Sequence, residues 1–234
     1  MVIGTRQRIG DSASKESLGI TINGIQLKNC LEYTYLGLTI DSHLSWNAQV
    51  EMVCKKLGSR VAMLQRMRGT FSCAQLNTLY FSFVQPHVDY ALSVWGNTTQ
   101  QNLQRVQRHL NRSARIVSNN FDFDVPSLSI IEGLKWQTIS ERRDFLKCTL
   151  VYKCLNALAP TYLSDMFTYT ADAHSRLTRQ VTTNCLYVPA ANTQHFQNSL
   201  IVSGARLWNN MPSTLREANT LSSFKYLYKH RNVS

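Results

Sequence analysis

The stretch SCAQLNTLYFSFVQPHVDYALSVWG, Ser72–Gly96, predicts the helical segment around which the rest of the fold is organised. Ser72, followed three residues later by Gln75, is a capping-box pattern, which is typical of a helix start. Between residues 76 and 95, Asp89 is the only formal charge. A helix so poor in charge is expected to be buried on most sides. Its apolar residues at helical spacing are Leu76, Leu79, Tyr80, Phe83, Val84, Val88, Ala91, Leu92 and Trp95.

Pro86 divides this segment, so a kink or a break is expected there, and Gly96 is expected to end it as a C-cap. His87 and Asp89 suggest an acid–base pair at first sight. Side chains two residues apart on a helix point to different faces, however, and cannot bond to each other there. We therefore interpret them as a histidine at the helix kink and a capping or paired aspartate.

The charge of the chain is positive and unevenly distributed. Its 25 Lys and Arg residues exceed its 14 Asp and Glu residues, which gives a net charge of +11. Residues 46–118 hold nine basic and two acidic residues, a net charge of +7. Clustered positive charge favours a polyanionic partner, nucleic acid before a membrane, and the alternative is a solvated basic surface without a partner.

The cysteines at positions 30, 54, 73, 148, 154 and 185 are scattered, without the spacing of a zinc site. They predict reduced, mostly buried thiols of an intracellular protein, in the cytoplasm and nucleus. No stretch approaches eighteen apolar residues without charge, and the first ten residues have no apolar core, so neither a membrane span nor a signal peptide is expected. No Gly-rich phosphate loop or metal-ligand cluster is present, so no small-molecule substrate, metal or other cofactor is predicted for this chain.

Small β elements are predicted in the first 44 residues. Two alternating apolar runs, residues 20–22 and 25–27, flank Asn23-Gly24, which is the strongest short-range signal for a hairpin because both turn positions need positive φ. Residues 33–40, YTYLGLTI, predict a third strand, in which Gly37 marks a close backbone approach or a bulge.

Two long amphipathic helices are predicted on either side of the central segment. The first has Ser45 as its expected N-cap and runs from Trp46 to about Arg68, and the second runs from Gln100 to Val117. The apolar stripe of the first is Trp46, Val50, Val53, Leu57, Val61 and Leu64.

Four arginines of the second long helix form what we call the arginine row. At 100° per residue, they fall within an arc of about 80°, with the apolar residues on the opposite side. The row is expected to point outward, and the helix carries no carboxylate to pair with it. Its members are Arg105, Arg108, Arg112 and Arg115.

The C-terminal part of the chain is predicted to be less regular. Thr138 and Glu141 form another capping box, which opens a helix that Pro160 terminates. Leu146, Leu150 and Cys154 are expected to face inward along it, followed by β-like runs at 186–188 and 196–202 and short helices at 205–209 and 221–229. The sequence thus predicts a mainly α fold with small β elements (α+β), ending in a helix plus a short hairpin region. The predicted core residues include Trp46, Phe83, Trp95, Trp136 and Trp208.

A series of short motifs resembles one known family. Tyr33-Thr34-Tyr35-Leu36-Gly37 with Leu38-Thr39-Ile40-Asp41 resembles the strand turn at the end of the reverse-transcriptase palm, which forms the primer grip. From about residue 1 to 229 the chain is similar to the C-terminal half of non-LTR (LINE-type) retrotransposon polyproteins of the jockey and chicken-repeat groups. The further motifs that carry this resemblance are Leu44-Ser45-Trp46, Gln85-Pro86-His87-Val88-Asp89-Tyr90, Val94-Trp95-Gly96, Leu103-Gln104-Arg105-Val106-Gln107, Leu134-Lys135-Trp136, Val151-Tyr152-Lys153-Cys154-Leu155-Asn156, Leu158-Ala159-Pro160-Thr161-Tyr162-Leu163, Arg206-Leu207-Trp208-Asn209, Met211-Pro212 and Leu221-Ser222-Ser223-Phe224-Lys225.

The resemblance implies four parts. Residues 1–44 would be a palm remnant with a primer-grip-like strand at Tyr35, Leu36 and Gly37, and residues 45–118 a thumb-like helical bundle. Residues 119–168 would be a helical extension, and residues 169–234 a C-terminal β-hairpin with short helices. The implied partner is RNA or an RNA–DNA hybrid, bound as template and primer. The residues expected to bind it are Lys55, Lys56, Arg66, Arg105, Arg108, Arg112 and Arg115.

The catalytic carboxylates of that family are missing from this chain. The polymerase needs two aspartates in a Tyr/Phe-x-Asp-Asp turn and a third upstream, which together hold two metal ions. The only candidate here, Phe121-Asp122-Phe123-Asp124, follows the primer-grip position instead of preceding it, and its carboxylates are not adjacent. Asp124 is better interpreted as a cap before the next short helix. No catalytic residue is therefore predicted, the chain is expected to be inactive alone, and Mg²⁺ would belong to the missing palm.

Three functional hypotheses follow. The first is a polymerase fragment that grips the backbone of a template-primer or RNA. The second is a domesticated, non-enzymatic adaptor that uses the helical bundle for protein contacts, and salt-dependent binding of nucleic acid separates the two. The third, a hydrolase built from Cys148 or Cys154 with His174 or His195, lacks a nucleophile motif, and buried inert thiols are favoured instead.

Overall fold

A computed structural model describes residues 1–4, 19–173 and 184–230 of the chain. In that part the protein is mainly helical with two small antiparallel hairpins, so the α+β class is confirmed in this broad form. The chain forms two compact units, Met1–Ile139 and Ser140–Ser234. The four-part division implied by the resemblance stays a prediction. Within the described ranges, no helix combines the length and the apolar character that a bilayer span requires.

The first hairpin of unit 1 follows the Asn-Gly signal. Asn23 and Gly24 both have positive φ, 52° and 76°, so the chain reverses between two short strands. Ile22 lies opposite Ile25 across the turn. The prediction of a hairpin is confirmed, with β1 at Thr21–Ile22 and β2 at Ile25–Gln26.

A second hairpin stands where one strand was predicted. The chain reverses at Leu36 and Gly37, whose φ values are 48° and 74°, so the prediction of a single strand over residues 33–40 is wrong. Two central residues with positive φ match the twist of the flanking strands in a two-residue hairpin turn. Gly37 therefore forms a turn and not a bulge. The strands are β3, Glu32–Tyr35, and β4, Leu38–Asp41.

The predicted helices of unit 1 are present with nearly the predicted ends. The capping box is confirmed: Gln75 N donates to Ser72 Oγ (3.4 Å) and Ser72 N donates to Gln75 Oε1 (2.9 Å). The helices are α1 (Asn47–Met67), α2 (Cys73–Phe83), α3 (Gln85–Asp89), α4 (Leu92–Trp95), α5 (Gln100–Ser118) and α6 (Ser127–Gly133).

The start of α1 is held mainly by Asp41. Ser45 is not the N-cap residue as predicted, although its Oγ accepts from Asn47 N at 3.3 Å. The Asp41 carboxylate accepts hydrogen bonds from the backbone N of His43 (3.1 Å), Ser45 (3.0 Å) and Trp46 (2.8 Å). Trp46 occupies the N-cap position in a left-handed conformation, φ 65°, and its side chain makes no capping bond. One carboxylate thus satisfies three N–H groups and lies at the positive end of the helix dipole, which a serine hydroxyl cannot match.

The central segment breaks as expected next to Pro86 and again at Ala91, where φ is 51°. It is buried along one face only, so the prediction of burial on most sides is wrong, and so is the placement of Phe83 in the core. Phe83 is 44% exposed, because the chain changes direction after it and carries Val84 into the core instead. The buried residues of this face are Leu76, Tyr80, Val84, Val88, Leu92 and Trp95.

The core of unit 1 forms where α1 and α5 pack side by side. Asn102 Nδ2 donates to Asn47 Oδ1 at 2.7 Å, and Gly58 of α1 lies against the ring of His109. The predicted apolar stripe of α1 is buried over its full length. On another side of the unit, the ring of Trp136 stacks on Tyr80 with centroids 3.6 Å apart.

Unit 2 has its own apolar core around α7. The helix ends at Leu155, well before Pro160, and Leu146 and Leu150 are only half-buried, although Cys154 is buried. The helices are α7 (Ile139–Leu155), α8 (Thr161–Ser164), α9 (Thr170–Ala173), α10 (Gln194–Asn198), a π-helical turn (Leu200–Gly204), α11 (Ala205–Asn209), α12 (Ser213–Arg216) and α13 (Leu221–His230). The core comprises Phe145, Cys148, Val151, Tyr152, Leu186, Ala205, Trp208, Met211, Leu215, Phe224 and Tyr228.

The β-like run predicted at 196–202 is not a strand, while the hairpin assigned to residues 169–234 as a whole stays a prediction. The run at 196–202 is helical, because Thr193 Oγ1 accepts from Phe196 N and starts α10, which the π-helical turn follows. Leu186 forms an antiparallel bridge with Tyr169, and beside it Thr170 N donates to Cys185 O (2.9 Å) and Tyr187 N donates to Thr168 O (2.8 Å). The short helices predicted at 205–209 and 221–229 are confirmed.

Candidate nucleic-acid interface

Helix α5 is fixed to unit 1 by its apolar side. Thr99 Oγ1 caps its first turn by accepting from Asn102 N, and the Asn102 amide also bonds to Thr98 and Asn47. The side that packs inward includes every predicted apolar position, which directs the opposite side of the helix to solvent. These buried residues are Leu103, Val106, Leu110, Ala114 and Val117.

Two members of the arginine row project into solvent as predicted. Arg108 and Arg112 are exposed, and neither has a hydrogen bond or ion pair with any residue that the structure describes. Arg105 is half-buried, with its guanidinium 3.4 Å from Asn102 Oδ1. Because the guanidinium is planar and always charged, an exposed pair of this kind suits bidentate contact with phosphate.

Arg115 departs from the predicted row, because its guanidinium is engaged by the protein itself. It donates to the backbone oxygens of Asp122 (2.6 Å) and Val125 (2.8 Å) and to Ser127 Oγ (3.3 Å). The prediction of four outward, unpaired guanidiniums is therefore wrong at this position. Arg115 thus connects the end of α5 to the loop that follows it. Its partners are loop residues, so helical periodicity alone could not predict these bonds.

Cations also lie on both flanks of α1. Burial raises the pKa of the half-buried Cys54 thiol, and the positive charges of Arg105 and Arg108 offset part of that rise. On the other flank, burial lowers the pKa of His87, and the charges of Arg60 and Lys56 lower it further. The exposed side of α1 carries Lys55, Lys56 and Arg66.

His109 lies at the junction of α1 and α5. Its ring packs against Gly58, and burial lowers its pKa, with the charge of Arg112 as the second cause. The lowered pKa favours the neutral form of the imidazole at this junction.

The primer-grip-like residues form an exposed hairpin turn. Tyr35 and Leu36 are exposed, and the Tyr90 hydroxyl donates to the backbone oxygen of Leu36. The Tyr90 ring also lies against Gly37. The turn is thus fixed to the central segment, and its role in gripping a primer stays a prediction.

The Phe121–Asp124 motif forms a local turn. Asp122 N donates to Asn120 Oδ1 and Asp124 N to Asp122 Oδ1, both at 3.0 Å. The prediction that Asp124 caps the next helix is wrong, since α6 has Pro126 at its N-cap and no side-chain cap. Across the described ranges, no group of three or more His, Cys, Asp or Glu residues is placed to hold a metal ion.

The cysteine–histidine hypothesis gains no support. Cys148 and Cys154 are buried, whereas His195 is exposed on α10, and His174 lies outside the described residues. Burial raises the pKa of the Cys154 thiol, which is opposite to the shift that a catalytic cysteine needs. All six cysteines lie in the described part of the chain and none forms a disulfide, and three of them are buried.

Two features of this surface were not selected as site residues from the sequence. Arg60 lies with Lys56 near His87, and its position four residues after Lys56 on α1 is a signal that could have found it. Phe123 projects from the loop after α5 beside Arg115. Its exposure depends on the loop conformation, so the sequence contained no signal for it.

The chain is similar to RNA-directed DNA polymerases of transposable elements. It is 22% identical over 126 residues to the probable RNA-directed DNA polymerase from transposon BS of Drosophila melanogaster, which covers 53% of this chain and 14% of that protein. It is 25% identical over 108 residues to the probable RNA-directed DNA polymerase from transposon X-element of Drosophila melanogaster, with 45% and 12% covered. It is also 25% identical over 99 residues to the RNA-directed DNA polymerase from mobile element jockey of Drosophila funebris, with 41% and 11% covered.

These matches span no more than 14% of the length of the curated relatives. No family model matches the chain, and no solved structure matches it. The matches support a reverse-transcriptase-like relationship.

Proposed function

We propose that this chain is the C-terminal part of a non-LTR retrotransposon reverse transcriptase and binds the backbone of RNA or an RNA–DNA hybrid. The observation that carries the proposal is the exposure of Arg108 and Arg112 without a protein partner, on a helix whose other side is packed. The net charge of +7 over residues 46–118 supports it, as does the similarity to RNA-directed DNA polymerases. The thumb-like role of these helices and the primer-grip role of the hairpin turn are part of this proposal.

The mechanism is electrostatic and independent of sequence. Arginines at one-turn spacing on a rigid helix contact successive phosphates, and each contact releases counterions from the nucleic acid. The exposed basic residues of α1 widen this surface. Such a surface positions a duplex and contributes no base readout.

The proposal predicts that nucleic-acid binding depends on where the charge lies as well as on how much there is. Changing Arg105, Arg108 and Arg112 together to Gln should weaken binding of a fluorescein-labelled RNA duplex, measured by anisotropy, by at least about tenfold at low salt. RNA–DNA hybrids of unrelated sequence should lose affinity equally.

A matched control removes the same charge elsewhere. Arg206, Lys225 and Lys229 of unit 2 are exposed, and their joint replacement by Gln also lowers the net charge by three. This control should keep most of the affinity. Equal losses in the two folded triple variants would contradict the proposal, because they would show a response to net charge alone.

The chain alone should not synthesise DNA. Two-metal phosphoryl transfer needs carboxylates that hold both ions, and the two aspartates of the acidic turn, Asp122 and Asp124, are not adjacent as the family's catalytic turn requires. A primer-extension assay with magnesium or manganese should show no nucleotide incorporation. Incorporation that is lost when both aspartates are changed to Asn would contradict this prediction.

A second candidate function is a non-enzymatic adaptor. It is favoured by the apolar side chains that the first hairpin exposes, Ile22 and Ile25 among them, since exposed apolar patches often contact other proteins. An adaptor would bind nucleic acid weakly and with little dependence on salt.

A further inference from the structure

The loop between α5 and α6 presents one aromatic ring to solvent. Phe123 is 89% exposed, the highest value for a large apolar side chain in the described part of the chain. Its neighbour Phe121 is partly covered, with the guanidinium of Arg68 4.4 Å from its ring centroid. An exposed phenylalanine forgoes the hydrophobic stabilisation that burial of its ring would give.

The loop that carries Phe123 is held firmly on both sides of the ring. Before it, Arg115 bonds to the carbonyl of Asp122, and after it, Arg115 bonds to Val125 and Ser127. The Asp122 carboxylate adds a bond to Asp124 N. A fixed backbone with an exposed ring is pre-organised for stacking, since little conformational freedom is lost when a partner binds.

Phe123 lies at the end of the arginine row. The Arg115 guanidinium is 5.6 Å from the centroid of its ring. Helix α5 rises about 1.5 Å per residue, so Arg112 precedes Arg115 by about 4.5 Å along the helix axis. That distance is on the order of one or two nucleotide steps of a strand, about 3.4 Å each.

The charges next to the ring restrict what can bind there. Asp122 and Asp124 flank Phe123, and both are exposed. Their carboxylates repel phosphate, so the group that meets the ring is uncharged, while the phosphates stay on the arginines. A nucleobase fits this arrangement, because it has a π face that stacks on the ring and N–H groups that donate to carboxylates.

We infer that Phe123 is a stacking platform for one unpaired base that extends from a duplex held on the arginine row. This inference rests on the proposed function and names its substrate as a duplex with a single-stranded extension. Stacking on Phe123 neutralises no phosphate, so it adds affinity without changing the salt dependence of binding.

The test compares tails with and without bases. An RNA hairpin is prepared blunt, with a 5′ or 3′ tail of adenosines, and with the same tails made abasic. The full chain should bind one adenosine-tailed hairpin at least about fivefold more tightly than its abasic counterpart. Phe123→Ala should remove this difference and keep the affinity for the blunt hairpin, while Phe123→Trp should retain the difference.

The outcomes separate the two claims. If the blunt hairpin is bound but no tail shows a base-dependent gain, or if the gain persists in Phe123→Ala, the stacking platform is contradicted and the proposed function stands. If the blunt hairpin is not bound at all, both claims fail. Because Phe123 is exposed, its variants should unfold at the temperature of the parent, which circular dichroism checks.

Discussion

Two cations of this chain, Arg112 in unit 1 and Lys147 in unit 2, carry the same charge in opposite environments. Arg112 is exposed on α5, whereas Lys147 is 3% exposed on α7 and donates to Ser203 Oγ at 3.0 Å. Burial, with the charge of Arg143 as the second cause, lowers the pKa of Lys147 to about 8. A cation exposed to solvent has little effect on the free energy of folding and stays accessible to an anion, whereas a buried cation lowers the stability of the fold. Only the first arrangement suits a binding surface.

The largest effect on folding should come from the core that supports the arginine row. Trp95 is fully buried, and its Nε1 donates to the backbone oxygen of Tyr90 at 2.7 Å. Trp95→Ala should leave a cavity and lower the free energy of unfolding by about 3–5 kcal/mol. Thermal and urea unfolding measure this loss. A variant that unfolds with the parent would show that the central segment does not support unit 1.

The buried cation should give stability an unusual dependence on pH. The unfolded chain binds a proton at Lys147 up to about pH 10.5, but the folded chain does so only up to about pH 8. Burial of the charged Lys147 ammonium therefore lowers the free energy of unfolding by its full amount below pH 8. This loss disappears as the pH rises through 10.5, so the free energy of unfolding rises over this window. The gap of about 2.5 pKa units corresponds to a change on the order of 3 kcal/mol.

Lys147→Met isolates this dependence from other groups that titrate at high pH. The variant should be more stable than the parent at pH 7, and its advantage should shrink between pH 8 and 10.5. Lys225→Met, at an exposed position, is the matched control and should show no such trend. Parallel curves for the parent and Lys147→Met would mean that the ammonium is not enclosed.

The sequence correctly predicted the structural elements that are determined by residues close together in the chain. The stripes of α1 and α5, the Asn23-Gly24 turn and the capping box at Ser72 depend on residue spacing alone, and the structure has them as predicted. The reversal at Leu36 was missed because a leucine rarely adopts positive φ.

Features that depend on contacts between residues far apart in the chain could not be predicted from the sequence. The exposure of Phe83 follows from the change of direction at Val84, and the C-terminal run at 196–202 has the composition of a strand but is helical in unit 2. In the candidate site, the exposure of Arg108 and Arg112 followed from helical periodicity. The engagement of Arg115 required the fold of the loop after α5.

Within the arginine row, a smaller effect should separate Arg115 from Arg112. Arg115→Gln removes charge-assisted bonds to two backbone oxygens and should lower the free energy of unfolding by about 1–3 kcal/mol. Arg112→Gln is the matched control and should change it by less than about 0.5 kcal/mol. Urea unfolding of the two variants tests this, and equal stabilities would show that Arg115 has no structural role.

The salt dependence of RNA binding tests the central claim most directly. Between about 50 and 200 mM salt, the logarithm of the association constant for an RNA duplex should fall with the logarithm of salt concentration at a slope of about −2 to −4. Changing Arg105, Arg108 and Arg112 together to Gln should flatten the slope by about 2, while the control triple variant of unit 2 keeps the parent slope. An unchanged slope and affinity in the folded arginine variant would contradict the account, because the row would then be only a solvated surface.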